Sequence, residues 1–441
     1  MVNNLTKEVL LTIVAEWLRE WEIPPLLSRN LKTIDPEKLK RVLAIVGPRR
    51  AGKTYFMFQL ILSLLHNGRY SKEDILFIDF EDYRLSGFTE REVDNLFAAF
   101  HQLSGRYPRY LFLDEVHNLP NWNRVLRTLH SKQRYKIVIS GSNSKLLGRE
   151  IATELRGRHE ELLMMPFSFK EYLQFQGISF TSSSIHTAAR GSILAAFDDF
   201  IRRGGFPEVI MANNFAERRK LLQSYYKTMF YRDILERYKI KAQQVLDALM
   251  SNFLETYSSI FSISKFENQL KRNNLPGSKR TIANYLYYLQ DAFFIFANEK
   301  FSFSPRKRIM NPKKVYLADT GFAVLGSPFG ENRGRILENV VAIELFRRGL
   351  ELYYFKGKKE CDFIIKLGTR PVCAIQVCWE VTERNRKREI TGLIEACKTL
   401  RLTEGFVLTY DQEQQLQVED IKIHILPVWK WLILDNIPEL S

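Results

Sequence analysis

Apolar positions follow different rhythms along this chain. In the first 165 residues they come as short continuous runs. Residues 43–46 (LAIV), 74–80 (DILFIDF), 110–113 (YLFL) and 136–140 (KIVIS) each read as a buried parallel strand, and residues 55–65 as a helix. From residue 170 to 214 the spacing turns helical, with a serine-rich break at 181–184, and a basic, aromatic helix follows over 217–239. Residues 242–257 and 263–272 are amphipathic helices, 273–277 a turn, and Ser278 caps a third helix over 279–293. Residues 294–300 and 315–317 read as two strands able to pair. The last quarter opens with a helix over 336–346. A strand over 361–367, a turn at 368–370 and a paired strand over 371–378 follow.

No apolar run reaches the ~18 residues that a membrane span needs. The opening MVNNLTKEVLLTIVAEWLREWEIPP lacks a basic leader and a small-residue cleavage site, so a cytoplasmic protein without membrane association is expected. A chain of 441 residues is too long for one core and predicts two to four domains. The four cysteines, Cys361, Cys373, Cys378 and Cys397, form no zinc-type spacing and read as buried hydrophobes. The net charge of +15 favours a polyanionic partner.

The first apolar run leads straight into Gly47-Pro48-Arg49-Arg50-Ala51-Gly52-Lys53-Thr54, and a helix beginning near Tyr55 follows. Strand, G-x4-GK[ST] loop and helix are the context of a Walker A motif. The glycines let backbone N–H groups turn toward a phosphate, and the helix N-terminus adds its dipole. Lys53 is expected on the β and γ phosphates of ATP, and the Thr54 hydroxyl on Mg²⁺. The run at 110–113 ends in Asp114-Glu115, a Walker B pair: Asp114 for magnesium and Glu115 as general base. Asp79 ends a neighbouring strand and is expected near the metal. Ser142, with Ser140 as the alternate, is the candidate sensor of the γ-phosphate. Arg158 is the candidate to neutralise transition-state charge, within its own chain or for a neighbouring copy.

The stretches GPRRAGKT, LFLDEVHNLPNW, ISGSNSKLL, LRGRHEELLMMPFSFKEY, GGFPE, and ENVVAIELFRRG followed by KKECDFII occur in this order. With them the chain resembles archaeal and bacterial AAA+-like ATPases whose C-terminal part is a domain of unknown function with a restriction-endonuclease-like core. The resemblance implies that Pro24, within Ile23-Pro24-Pro25, lies near the adenine; Tyr55, directly after the loop, is a further nucleotide-binding candidate. The resemblance also implies that Pro207 closes over the nucleotide from a helical lid, with Arg203 a further candidate for phosphate.

Residues 241–325 look like a winged helix-turn-helix. Lys279 and Arg280 open its recognition-type helix, and Arg306-Lys307-Arg308 lie between the two wing strands. From Lys265 to Lys314 there are eleven Lys or Arg against three Asp or Glu, about half of the chain's excess charge. DNA is the expected partner of this face, through phosphate contacts. The helix–strand–strand pattern of the last quarter is the layout of a PD-(D/E)xK nuclease core. Glu338 and Asp362 stand at two carboxylate positions, but the E-x-K positions read Gln376-Val377-Cys378. A neutral Gln and a Cys argue for lost nuclease activity unless Lys356, Lys358 or Lys359 substitutes from a loop. Glu338 and Asp362 are then remnants, or partners of nearby Lys and Arg.

The expected fold is thus α/β. A P-loop parallel-sheet domain spans 1–165, a helical lid and connector 166–240, a winged helix 241–325 and a nuclease-like α/β domain 326–441. The expected function is a Mg²⁺-dependent ATPase coupled to DNA binding or remodelling. A nucleotide switch acting on a protein partner, with homo-oligomer assembly, is the alternative. An ATP-driven nuclease stands third.

Overall fold

The computed structural model describes residues 6–29, 34–142, 157–181, 189–326 and 333–434. Asn143, Ser144, Arg156 and most of the serine-rich break lie outside the described residues. The chain divides into two compact units, Met1–Met165 and Pro166–Ser441.

The first unit is a parallel sheet of five strands in the order β2-β3-β4-β1-β5. These are β1 (Val42–Val46), β2 (Ile75–Asp79), β3 (Tyr110–Asp114), β4 (Lys136–Gly141) and β5 (His159–Leu163). All five β1 residues are buried, as expected of an inner parallel strand paired with β4 on one side and β5 on the other. This is the P-loop NTPase α/β fold. Helix α1 (Lys7–Ala15) precedes a π-helical turn whose Trp17 is buried, and the Trp17 indole N–H donates to the Ile75 carbonyl at 2.6 Å. Helix α2 (Lys53–His66) buries Phe56, Met57, Leu60, Ile61 and Leu64. These recur at helical spacing, and each apolar side chain so buried contributes roughly 1.5–3 kcal/mol.

The second unit carries a sheet of nine strands in the order β13-β14-β12-β11-β10-β9-β7-β8-β6. β6 (Ser259–Phe261) and β7 (Ile295–Lys300) both pair antiparallel with β8 (Lys313–Leu317). β9 (Glu351–Lys356), β10 (Glu360–Leu367) and β11 (Arg370–Val377) form an antiparallel meander. β12 (Glu404–Thr409) and β14 (Ile421–Pro427) extend it in parallel, and β13 (Gln414–Val418) closes the edge. A short parallel pairing of β7 with β9, Glu299 opposite Tyr353, joins the three-strand ladder to the meander. The helix Arg333–Arg347 lies against β8, and its Asn339 grips the Leu317 main chain through two bonds of 2.9 Å.

The GGFPE stretch is a staple inside this unit. Gly204 has φ 77°, and a Cβ there would stand 1.8 Å from Asp319 Oδ1. Asp319 is buried and accepts the Gly205 and Gly321 N–H groups at 2.7 and 2.8 Å. Phe206 packs edge-on against Phe322 and Tyr225. Gly204→Ala meets both a left-handed backbone and a carboxylate, so it should lower unfolding stability by about 2 kcal/mol or more. Chemical denaturation of the variant checks this, and an unchanged midpoint would contradict it.

Candidate functional site

The loop after β1 turns where the sequence predicts. A Cβ on Gly47 would stand 1.9 Å from the Met164 carbonyl oxygen, so only glycine lets β1 leave the sheet here. Arg50 and Gly52 both have positive φ, and α2 begins at Lys53. Lys53 is 5% exposed. Its ammonium donates to the carbonyls of Gly47 and Pro48 at 3.2 and 3.1 Å and lies 3.4 Å from Glu115 Oε1. The Thr54 hydroxyl donates to Asp114 Oδ2 at 2.5 Å, and Ser140 donates its hydroxyl to the other Asp114 oxygen. Pro48 and Ala51 complete the loop. Arg49 pairs with Glu81 at 2.8 Å, and Tyr55 is half exposed on the first turn of α2.

Glu115 has φ 45°, a left-handed backbone uncommon for a residue other than glycine. Its N–H is held by Ser140 Oγ at 2.9 Å, its Oε2 accepts the Ser142 N–H at 3.1 Å, and His117 Nδ1 lies 3.2 Å from the same oxygen. Burial works to raise the Glu115 carboxyl. The Lys53 ammonium, His117 and Arg49 outweigh it and hold Glu115 well below the usual carboxylate range. Burial, with Glu115 alongside, pushes Asp114 up. Asp79 is opposite Asp114 in the β2–β3 register, and burial first, then Asp114, Glu81 and Glu115, push it up to about 6 against the Glu81 N–H bond. The donors here are a hydroxyl and carboxylates, all oxygen, which is the set a magnesium ion takes. Ser142 Oγ is buried with no hydrogen-bond partner among the described residues, whereas the Ser140 hydroxyl is engaged by Asp114.

Arg158 is placed elsewhere. Its carbonyl accepts the Val42 N–H, at the start of β1, and five strand residues separate that end from Gly47. At ~3.3 Å per residue this is about 16 Å, beyond the reach of an arginine in the same chain. The structure therefore separates Arg158 from the P-loop of its own chain. Pro24 lies in the irregular segment before β1, and Pro207 is the first residue of the helix Pro207–Met211 in the second unit. Arg203 is tied to Asp199 at 2.5 Å and to the Ile210 carbonyl at 3.1 Å.

Sequence reasoning missed Arg29. Its guanidinium is buried and donates to the Ala51 carbonyl at 2.7 Å and the Met165 carbonyl at 2.8 Å, bracing the loop from behind. No local motif marks it. His117 could have been found, since it follows Glu115 by two residues.

In the second unit Lys279 and Arg280 are exposed on the first turn of the helix Lys279–Asp291, and Arg306 and Lys307 are exposed on the helix Pro305–Met310. Arg308 bonds the Ser302 carbonyl at 2.8 Å. Two lysines counted toward the basic face are not available to it. Lys313 pairs with Glu299 at 2.6 Å, and Lys314 is 2% exposed. Lys314 Nζ lies 2.7 Å from Glu338, 2.8 Å from Glu360 and 2.7 Å from Asp362. The expected loop substitutes do not fill this place: Lys356 pairs with Glu360 at 3.1 Å, and Lys358 and Lys359 bond Glu395 through their main chains. Burial and the Asp362 charge push Glu338 up to about 8 against Lys314 and the Tyr316 hydroxyl. Gln376 gives Nε2 to Glu389 at 3.0 Å.

Sheet, loop and acidic pair define an AAA-like P-loop ATPase domain, and comparison with known proteins agrees. The family described as AAA domain matches residues 39–173. Two domains of unknown function, DUF8612 and DUF4143, match 194–330 and 333–431. Over 407 residues the chain is 36% identical to the uncharacterized protein MJ1544 of Methanocaldococcus jannaschii, covering 90% of this chain and 88% of that one. The chain belongs to the family of that archaeal protein. An uncharacterized protein of Haemophilus influenzae is 27% identical over 88% of this chain and 94% of its own. Among solved structures, the Walker-type ATPase PABY2304 of Pyrococcus abyssi aligns over 69% of this chain and 98% of its own, at 15% identity and a TM-score of 0.38. The Aeropyrum pernix ORC1 protein in complex with DNA aligns over 70% and 87%, at 13% identity and a TM-score of 0.31.

The Asp79 shift has a readout in the nucleotide-free protein. A carboxyl whose folded pKa is raised disfavours its ionised form in the fold, so its contribution falls as pH climbs from the ordinary 3.8 to about 6. Asp79→Asn removes that loss. Its stability relative to wild type should rise between about pH 4 and pH 7, by on the order of 1 kcal/mol after solvent screening. Thermal melts across that range test it, and a constant difference would contradict the assignment.

Proposed function

We propose that this protein is a magnesium-dependent ATPase that couples ATP binding and hydrolysis to DNA binding or remodelling. The observation that carries the hydrolytic part is Glu115, ionised and buried beside Lys53, with its main chain strained into place at the end of β3. Lys53 exchanges its contacts with the Gly47 and Pro48 carbonyls and with Glu115 for phosphate oxygens. That exchange frees Glu115 to accept a proton from the attacking water. His117 and the Ser142 N–H orient the Glu115 carboxylate. The Ser142 hydroxyl, without a hydrogen-bond partner among the described residues, contacts the γ-phosphate in this reading. Thr54 and Asp114 would hold magnesium, which when bound neutralises charge on the phosphates. Pro24, Arg49, Arg50 and Tyr55 border the nucleotide in this reading, and Arg158 serves a neighbouring copy in a homo-oligomer.

The DNA part rests on the winged-helix reading of residues 241–325. The exposed Lys279, Arg280, Arg306 and Lys307 offer phosphate contacts. One observation favours a second reading, a nucleotide-state switch acting on a protein partner. Phe303, Ile309 and Met310 are 75%, 72% and 78% exposed beside those arginines, and apolar surface of this kind fits a protein better than DNA. Among the described residues no helix is long and apolar enough to cross a membrane.

ATP turnover by the purified protein tests both parts, with Glu115→Gln as the blank. It is run without nucleic acid, then with single-stranded, duplex and branched DNA, at ~50 and ~200 mM salt. Wild type should turn over at least about a hundredfold faster than Glu115→Gln, the size expected of a general base. One DNA form should stimulate it, with stimulation fading as salt rises. Slow turnover unchanged by every DNA contradicts the coupling and supports the switch. Turnover equal to that of Glu115→Gln contradicts the assignment of the base.

A further inference from the structure

The C-terminal carboxylates converge as the ligands of a divalent ion converge, yet the cation among them is a lysine. An ammonium has three protons, and here three carboxylates take them: Glu338 on the helix Arg333–Arg347, and Glu360 and Asp362 on β10. The contacts are 2.7, 2.8 and 2.7 Å. Lys314 arrives from β8, a strand held against that helix by the Asn339 grip on Leu317 and by the Tyr316 hydroxyl, which donates to Glu338 at 2.8 Å. The second Asp362 oxygen is committed to the Val377 N–H at 2.8 Å. A divalent ion held by the same oxygens would lie ~2.0–2.6 Å from each, on the ammonium itself. The residues present therefore do not fit a resident metal.

A cavity of about 700 Å³ opens on this cluster. Two features of its wall point to a ligand. Gln376 is 7% exposed, and its Oε1 has no hydrogen-bond partner among the described residues. Arg335, Lys358 and Lys359 line the same cavity, and among the described residues none of the three has a carboxylate at ion-pair distance. By contrast Lys356 and Arg388 are satisfied by Glu360 and Glu389.

We infer that Lys314 stands in the place of a divalent ion, and that the cavity above it binds a phosphate-bearing ligand without metal. Lys358, Lys359 and Arg335 take the phosphate, and the Gln376 side-chain carbonyl accepts from a hydroxyl or amino group of the ligand. All three protons of the Lys314 ammonium are engaged by carboxylates, and the cluster activates no water. The site binds a phosphodiester and leaves it intact. This holds whether or not the chain turns over ATP or contacts DNA elsewhere.

Calorimetric titration of the nucleotide-free full-length protein with Mn²⁺ tests the first half. Wild type should show no Mn²⁺ binding that Asp362→Asn removes. Lys314→Ala should gain one Mn²⁺ per chain, and adding Asp362→Asn should abolish it. Where Lys314→Ala melts too low to titrate, recovery of its folded circular dichroism on adding Mn²⁺ is the equivalent gain, and the wild-type arm decides by itself. Wild-type binding that depends on Asp362, or a folded Lys314→Ala that gains no site, overturns the assignment. The second half uses the 5′-phosphorylated dinucleotide pTpT, with the P-loop saturated by ADP. It should bind equally in EDTA and in Mg²⁺, and at least about tenfold more weakly to Lys358→Ala/Lys359→Ala. Binding only with Mg²⁺, no binding, or indifference to the two lysines overturns it.

Discussion

A lysine ammonium taken out of water loses several kcal/mol of hydration and must find oxygens to replace it. Both centres of this chain are organised around that requirement. In the first unit Lys53 takes two loop carbonyls and Glu115. In the second Lys314 takes three carboxylates. The two solutions differ in a way that decides what each site can do. Carbonyls and a single carboxylate at 3.4 Å hold Lys53 loosely, which is what the proposed exchange for a phosphate needs. Three carboxylates at 2.7–2.8 Å leave Lys314 nothing to offer, so it serves as a fixed charge.

The rest of the P-loop unit supports that exchangeable lysine. Arg29 braces Ala51 from behind, and Gly47 lets the loop pass under the Met164 carbonyl. Ser140 holds both the Asp114 carboxylate and the Glu115 main chain, so the two acidic residues keep separate roles: one faces the Thr54 hydroxyl, the other the lysine. Their pKa values are driven apart by these surroundings, Asp114 upward and Glu115 downward.

Much of this was legible locally. The Walker A stretch is a contiguous motif bounded by β1 and α2, and period and composition gave its flanks to within two residues. β5 escaped because HEELL is a half-exposed edge strand without an apolar run. The helix Glu383–Leu400 opens with ERNRKRE, whose charges mask its buried face of Ile390, Leu393, Ala396, Cys397 and Leu400. Lys314 was hidden for a different reason. It lies 48 residues from Asp362 and reads as one more charge in a basic stretch. Only the β7–β9 pairing and the helix Arg333–Arg347 bring it to the carboxylates, and no local pattern encodes that closure. Likewise Gly204 and Asp319 are far apart in sequence and meet only in the folded unit.

The most direct test of an exchangeable Lys53 is equilibrium binding of ATP, in the presence of magnesium, to wild type and to Lys53→Met. Saturable binding to wild type, weakened at least about tenfold in the variant, is what this site requires, a difference of ~1.4 kcal/mol or more. Equal affinity in the two proteins would mean that the ammonium does not meet the phosphates, and would contradict the account at its centre.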